Sequence, residues 1–169
     1  MITPALAEFL AHSLELESEA RERYTEMADA LAAHRNLEVA EFFQRMAAEA
    51  QEHLTEVHEL SQGTKLPQLN AWDFDWPEAE PPETVSYEAI HYRMSLREAI
   101  ALALAHERAA ETYYRNFADN STDSETVRIA GMFAEVESSH VAELQRLLSQ
   151  QPMDATCSRE EDEDPHMPE

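Results

Sequence analysis

Glycine is nearly missing from this 169-residue chain, which has two, Gly63 and Gly131. That excludes glycine-rich phosphate cradles and dinucleotide fingerprints, which need several glycines in a short run. The single cysteine, Cys157, cannot close an internal disulfide or build a four-cysteine iron or zinc site. Basic residues are scarce too: 12 Lys and Arg stand against 35 Asp and Glu, a formal net charge of −23. Nucleic acid and anionic membranes need a basic face, so neither is an expected partner. No apolar run approaches the roughly 20 residues of a membrane span, and no basic–apolar leader is seen. The expectation is a soluble, cytoplasmic protein.

What the chain does contain is helical periodicity. At 43% hydrophobic and 28% charged residues it has the composition of one globular domain with a core of useful size. Thr3 is a candidate N-cap and Pro4 fits a first helical position. Positions 6, 10, 14, 17, 20, 24, 27 and 31 then recur near the helical period, and "AAHRN" ends the run. A second helix is expected over about 37–61, with Val39, Phe42, Phe43, Met46, Ala50, His53 and Val57 on one face and Gly63 as C-terminal cap. Ser95 with Glu98 forms a capping box for a third helix reaching about Phe117. The polar "ADNSTDSE" turns into a fourth, from about Glu125 to Ser149. Gly131, inside that helix, costs about 1 kcal/mol against alanine and so marks a close helix contact.

Between the second and third helices, residues 64–94 form a long crossover whose four prolines and two tryptophans, Trp72 and Trp76, suit packing on the body. The resulting expectation is an all-α, ferritin-like four-helix bundle over residues 1–150. Residues 151–169, "QPMDATCSREEDEDPHMPE", read as an acidic disordered tail, in which Cys157 and His166 carry no function.

Glu-x-x-His occurs three times, at Glu88/His91, Glu137/His140 and Glu163/His166. In a chain this acidic, such pairs arise by chance, so spacing alone proves nothing. The repeat around them carries more. Glu17, Ala20, Tyr24 and Ala28 on the first helix match Glu107, Ala110, Tyr114 and Ala118 on the third, each set forming one inward stripe. His53 on the second helix matches His140 on the fourth, and Glu56 matches Glu143. The chain therefore reads as a duplicated helical hairpin, each half offering a carboxylate and then an imidazole. Buried carboxylates are costly, and a bound cation removes that cost.

"ESEARERY" in the first helix, "HERAAETYY" in the third and "VESSH" in the fourth resemble rubrerythrins, over residues 1–150. That resemblance implies a ferritin-like di-iron protein, a homodimer, acting as an oxidoreductase on peroxide or on ferrous iron. It makes Glu17, His53, Glu107, Glu137 and His140 metal-ligand candidates; no catalytic residue is assigned. Iron is the expected cofactor, with manganese or zinc as other occupants. Three departures follow. No four-cysteine rubredoxin module is available, so electrons must come from a separate donor. The further carboxylate that rubrerythrins carry three residues after their third-helix ligand is Ala110 here. Ala50 stands where helix two should supply the Glu of its Glu-x-x-His. Glu49, four residues before His53, is the substitute candidate, brought inward by a one-residue π-bulge or reaching the site from an unbroken helix.

Other functional classes remain open: a metal-binding, iron-sequestering protein without turnover, or a structural bundle with a degenerate site. Ordinary readings stand beside several residues. Arg21 or Arg108 could hold Glu17 and Glu107 without metal. Tyr24 and Tyr114 read as core residues bonded to a carboxylate, and Glu56 and Glu143 as solvated acids. His106 reads as a structural histidine pointing away from Glu107.

Overall fold

A computed structural model describes residues 1–69 and 92–153. Most of the crossover with Trp72 and Trp76, the Glu88/His91 pair, and the tail from residue 154 lie outside the described residues. Four helices make up the body: α1 (Pro4–Ala33), α2 (Leu37–Ser61), α3 (Leu96–Asn120) and α4 (Ser124–Ser149). α1 packs chiefly on α2 and α3 chiefly on α4, so two hairpins assemble into an all-α bundle with a long crossover.

The helix ends are set by the residues the sequence offers. Thr3 accepts from the Leu6 N–H, with Pro4 at the first helical position. The capping box of α3 is complete, Ser95 accepting from the Glu98 N–H and Glu98 accepting from the Ser95 N–H. Asp123 accepts from the Thr126 N–H and also from the Thr3 hydroxyl, tying the starts of α4 and α1 together. α3 runs on to Asn120, one turn past the expected end, before Ser121 turns extended. α2 ends on a left-handed residue, but that residue is Gln62 (φ 54°), with Gly63 following at φ 78°.

Gly131 corrects one expectation. A Cβ built there meets nothing within 4 Å, so among the described residues no helix approaches it closely.

The apolar core is divided in two. One cluster gathers Tyr24, Leu31, Phe42, Phe43, Met46, Ile100, Leu104 and Leu144. The other gathers Phe9, Leu10, Leu16, Val57, Tyr114, Ile129 and Phe133. Each helix contributes to both, and each passes from one to the other at about Glu17, His53, Glu107 and Glu137. The polar stripe predicted by the repeat lies at the level where hydrophobic packing stops.

Candidate metal centre

At that level, Glu17 and Glu137 are 4% and 2% exposed. Packing holds them there: Glu17 lies between Leu16 and Ala20, and Glu137 follows Phe133 and Ala134 along the buried face of α4. His53 Nδ1 bridges them, 3.2 Å from Glu17 Oε1 and 3.4 Å from Glu137 Oε1. His140 lies beside its own Glu137, with Nδ1 3.5 Å from Oε2. The two imidazoles stack in parallel, 5.2 Å between centroids and 5° between planes. Glu107 is partly buried, and its carboxyl lies against that of Glu137. Tyr114, from α3, donates its hydroxyl proton to Glu17 Oε1 at 2.8 Å.

The electrostatics follow from crowding acids in a dry interior. Burial, then the charges of Glu17 and Glu49, push the Glu137 carboxyl up to about 8. Burial and the neighbouring Glu137 hold Glu107 well above the usual carboxylate range. For His53, burial opposes the proton, yet the Glu17 hydrogen bond and charge prevail and raise it to about 8. Burial, reinforced by these carboxylates, raises the Tyr24 and Tyr114 phenols as well. Without metal, then, the cluster is quiet only while it retains protons.

Among the described residues, Glu137 Oε2 and His140 Nδ1 are buried and make no hydrogen bond, although they face each other at 3.5 Å. Such atoms are rare in a packed interior. One ligand atom from each of His53, Glu137 and His140 also falls within 4.8 Å of the others, the spread a single cation spans. Carboxylates with imidazoles suit iron or manganese. The donor set therefore fits a metal site. Neither Arg21 nor Arg108 competes for it: Arg21 donates to Gln51 at 2.6 Å, and Arg108 is exposed.

Helix two resolves differently from either a clean ligand or a bystander. α2 is α-helical throughout, so the π-bulge does not occur. Ala50 takes the inward position at 4% exposure, adding to the apolar core and not to the site. Glu49 leaves its side chain 41% exposed, yet its Oε1 reaches 3.6 Å from His140 Nε2 on α4. It also lines a cavity of about 20 Å³ together with Glu17, His53, Glu107 and Glu137. The pairing spans two helices, so spacing within α2 could not reveal it.

Two ordinary readings also change. His106 is 3% exposed and lines the same cavity, its ring 5.7 Å from Tyr24, so it does not point away from the site. Glu56 borders a second small cavity with Glu17, His53, Tyr114 and Glu137. Glu143, by contrast, is an exposed acid in a two-point pair with Arg146 at 2.7 and 3.1 Å.

A four-helix bundle whose core opens onto a carboxylate–imidazole cluster defines a ferritin-like protein. The sequence model of the rubrerythrin family matches residues 8–148, and the chain belongs to that family. Membership implies a di-iron site, and the chain holds a histidine–glutamate cluster. Among solved structures, the chain is similar to an uncharacterised conserved protein from Magnetospirillum magnetotacticum MS-1. That similarity is 38% identity over 88% of this chain and 96% of the other, with a TM-score of 0.72. No curated protein gives a significant match. Among the described residues, no helix is long and apolar enough to cross a membrane.

Proposed function

We propose that this chain is a di-iron oxidoreductase that reduces hydrogen peroxide, or oxidises ferrous iron, at the centre of the bundle. The observation that carries the reading is the interruption of the core at one level on all four helices, with Glu137 Oε2 and His140 Nδ1 buried and without a hydrogen bond. Glu17, His53, Glu107, Glu137 and His140 would hold the metal, with Glu49 completing the set beside His140. Bound iron would supply the two electrons that peroxide needs.

The protein's part is binding, charge and proton handling. Glu107 and Glu137, whose protons burial holds, lose them as cations enter, so binding releases protons and strengthens with pH. Tyr114 fixes one Glu17 oxygen and so orients that carboxylate. Glu56, in the small cavity beside His53, is placed to pass protons toward solvent. In this reading reducing equivalents would come from a donor outside these 169 residues, whose one cysteine cannot form a rubredoxin module.

A second reading is a metal-binding protein without turnover. Ala50 favours it, because an inward alanine on α2 leaves a leaner donor set. The two separate cleanly. Ferrous iron is loaded anaerobically, bound metal is measured per chain with Glu49→Ala alongside, and peroxide is then added. About two irons, fewer in the variant, with rapid peroxide-dependent oxidation, supports the enzyme. About one iron, unchanged by the variant and not oxidised by peroxide, overturns it in favour of sequestration.

A further inference from the structure

We infer that Tyr113 and His12 form a proton-coupled electron relay joining a surface groove, through Tyr114, to the carboxylate–imidazole cluster. The Tyr113 hydroxyl lies 2.8 Å from His12 Nδ1. On the far side of the imidazole, Nε2 is 3.9 Å from the Glu8 carboxylate, one turn back on α1. With its proton on Nε2 facing Glu8, His12 presents Nδ1 as the acceptor for the phenol. Tyr113 and Glu8 line a groove of about 390 Å³ between α1 and α3 that also exposes Phe117. In the other direction the Tyr113 ring meets the Tyr114 ring edge-on, 6.2 Å between centroids. The Tyr114 hydroxyl rests on Glu17. The path from groove to cluster is thus two adjacent rings and one hydrogen bond.

The two tyrosines are built for different parts. A phenol gives up an electron readily only if its proton can leave at once, since the radical cation is far too acidic to persist. Tyr113 has an imidazole waiting at hydrogen-bond distance, and Glu8 faces the imidazolium that would form. Tyr114 is fully enclosed and directs its proton to Glu17, a carboxylate already shared with His53. It keeps that proton and acts as the bridge.

The step balances as follows. Tyr113 gives up one electron toward the cluster by way of Tyr114, and its O–H bond breaks as the proton moves to His12 Nδ1; with metal bound there, a peroxide-oxidised ion would be the acceptor. A one-electron reductant in the groove then returns an electron to the tyrosyl oxygen, and the same proton comes back from His12. Each cycle delivers one electron, and two cycles match one peroxide. Only the inner terminus of the relay rests on the di-iron reading.

Two measurements on the full-length chain test it, both in a Tyr87→Phe/Tyr92→Phe background that leaves Tyr24 and Tyr114 as the other tyrosines. In the first, metal-free protein is oxidised with photogenerated tris(bipyridine)ruthenium(III), and the tyrosyl radical is followed by absorbance and electron paramagnetic resonance. Tyr113→Phe should remove most of the radical. His12→Phe, which keeps the phenol but not its proton acceptor, should slow its formation by about tenfold or more. Helical circular dichroism confirms that each variant is folded. In the second, iron-loaded protein is oxidised with peroxide and re-reduced with ascorbate. Tyr113→Phe should slow re-reduction by about tenfold or more, with iron content unchanged. Radical yield and rate indifferent to both variants, or re-reduction indifferent to Tyr113→Phe, overturns the relay. A chain that binds no iron overturns the di-iron reading instead, while the photochemical result still decides on Tyr113 and His12.

Discussion

Glu137 shows how a single residue sets the behaviour of the site. Its carboxyl is enclosed by apolar side chains and other acids, so it keeps a proton to about pH 8 in the metal-free fold, against 4.5 when unperturbed. His53 likewise holds its proton to about 8 against 6.5. Both groups bind protons more tightly folded than unfolded. Their contribution to stability is therefore complete below the unfolded values and is lost as pH rises through about 8. The melting temperature of the metal-free chain should fall between about pH 5 and about pH 8.5, by the equivalent of a few kcal/mol. Ferrous iron should oppose that fall, because cations replace the protons. Glu137→Gln gives the internal check: an amide mimics the protonated acid. The variant should melt near wild type at pH 6, lose less stability toward pH 8.5, and bind iron poorly. Thermal melts across pH with and without iron would expose a wrong sign directly.

At the scale of the element, the helices are held by local chemistry and by their buried faces. Ser95→Ala removes one half of the α3 capping box and should cost about 1 kcal/mol, read from a denaturant midpoint. Gly131 is a different case. It carries the entropic cost of glycine in a helix interior with no neighbour among the described residues to require it. Gly131→Ala should therefore stabilise the chain by about 0.5–1 kcal/mol. A fall in stability, together with loss of a larger species in light scattering, would place a second copy of the chain against that stretch of α4. α2 adds a lesson about elements: Ala50 holds the inward position, and the helix stays unbroken instead of bulging to bring Glu49 in. The carboxylate reaches the site by its length, across to His140 on the neighbouring hairpin.

For the whole molecule, charge dominates. A net charge of −23 on 169 residues means that folding gathers like charges, and some of them are placed in the interior. Raising sodium chloride from about 20 to about 300 mM shortens the screening length and should raise the melting temperature of the metal-free protein. Cations bound at the centre relieve the same strain from inside, so the salt effect should be smaller once iron is loaded. A melting temperature independent of salt would show that the acids are already neutralised in pairs.

The sequence by itself determined the four helices, the caps at Thr3 and Ser95, and the inward stripe of Glu17, Tyr24, Glu107 and Tyr114. These depend on neighbours within a few residues and on a period of 3.6, both of which can be read along a chain. The repeat likewise put His53 and His140 at matching depths, and the rings do stack. Tertiary structure decided the rest. It broke the hydrophobic core into two clusters at the level of the acids, buried Glu137 Oε2 and His140 Nδ1 without a hydrogen bond, and turned His106 toward the common cavity. It also joined His12 to Tyr113 across 101 positions. Those outcomes turn on a few ångströms of packing between helices distant in the chain. Residue spacing along one helix carries no information about how far a side chain on another will reach.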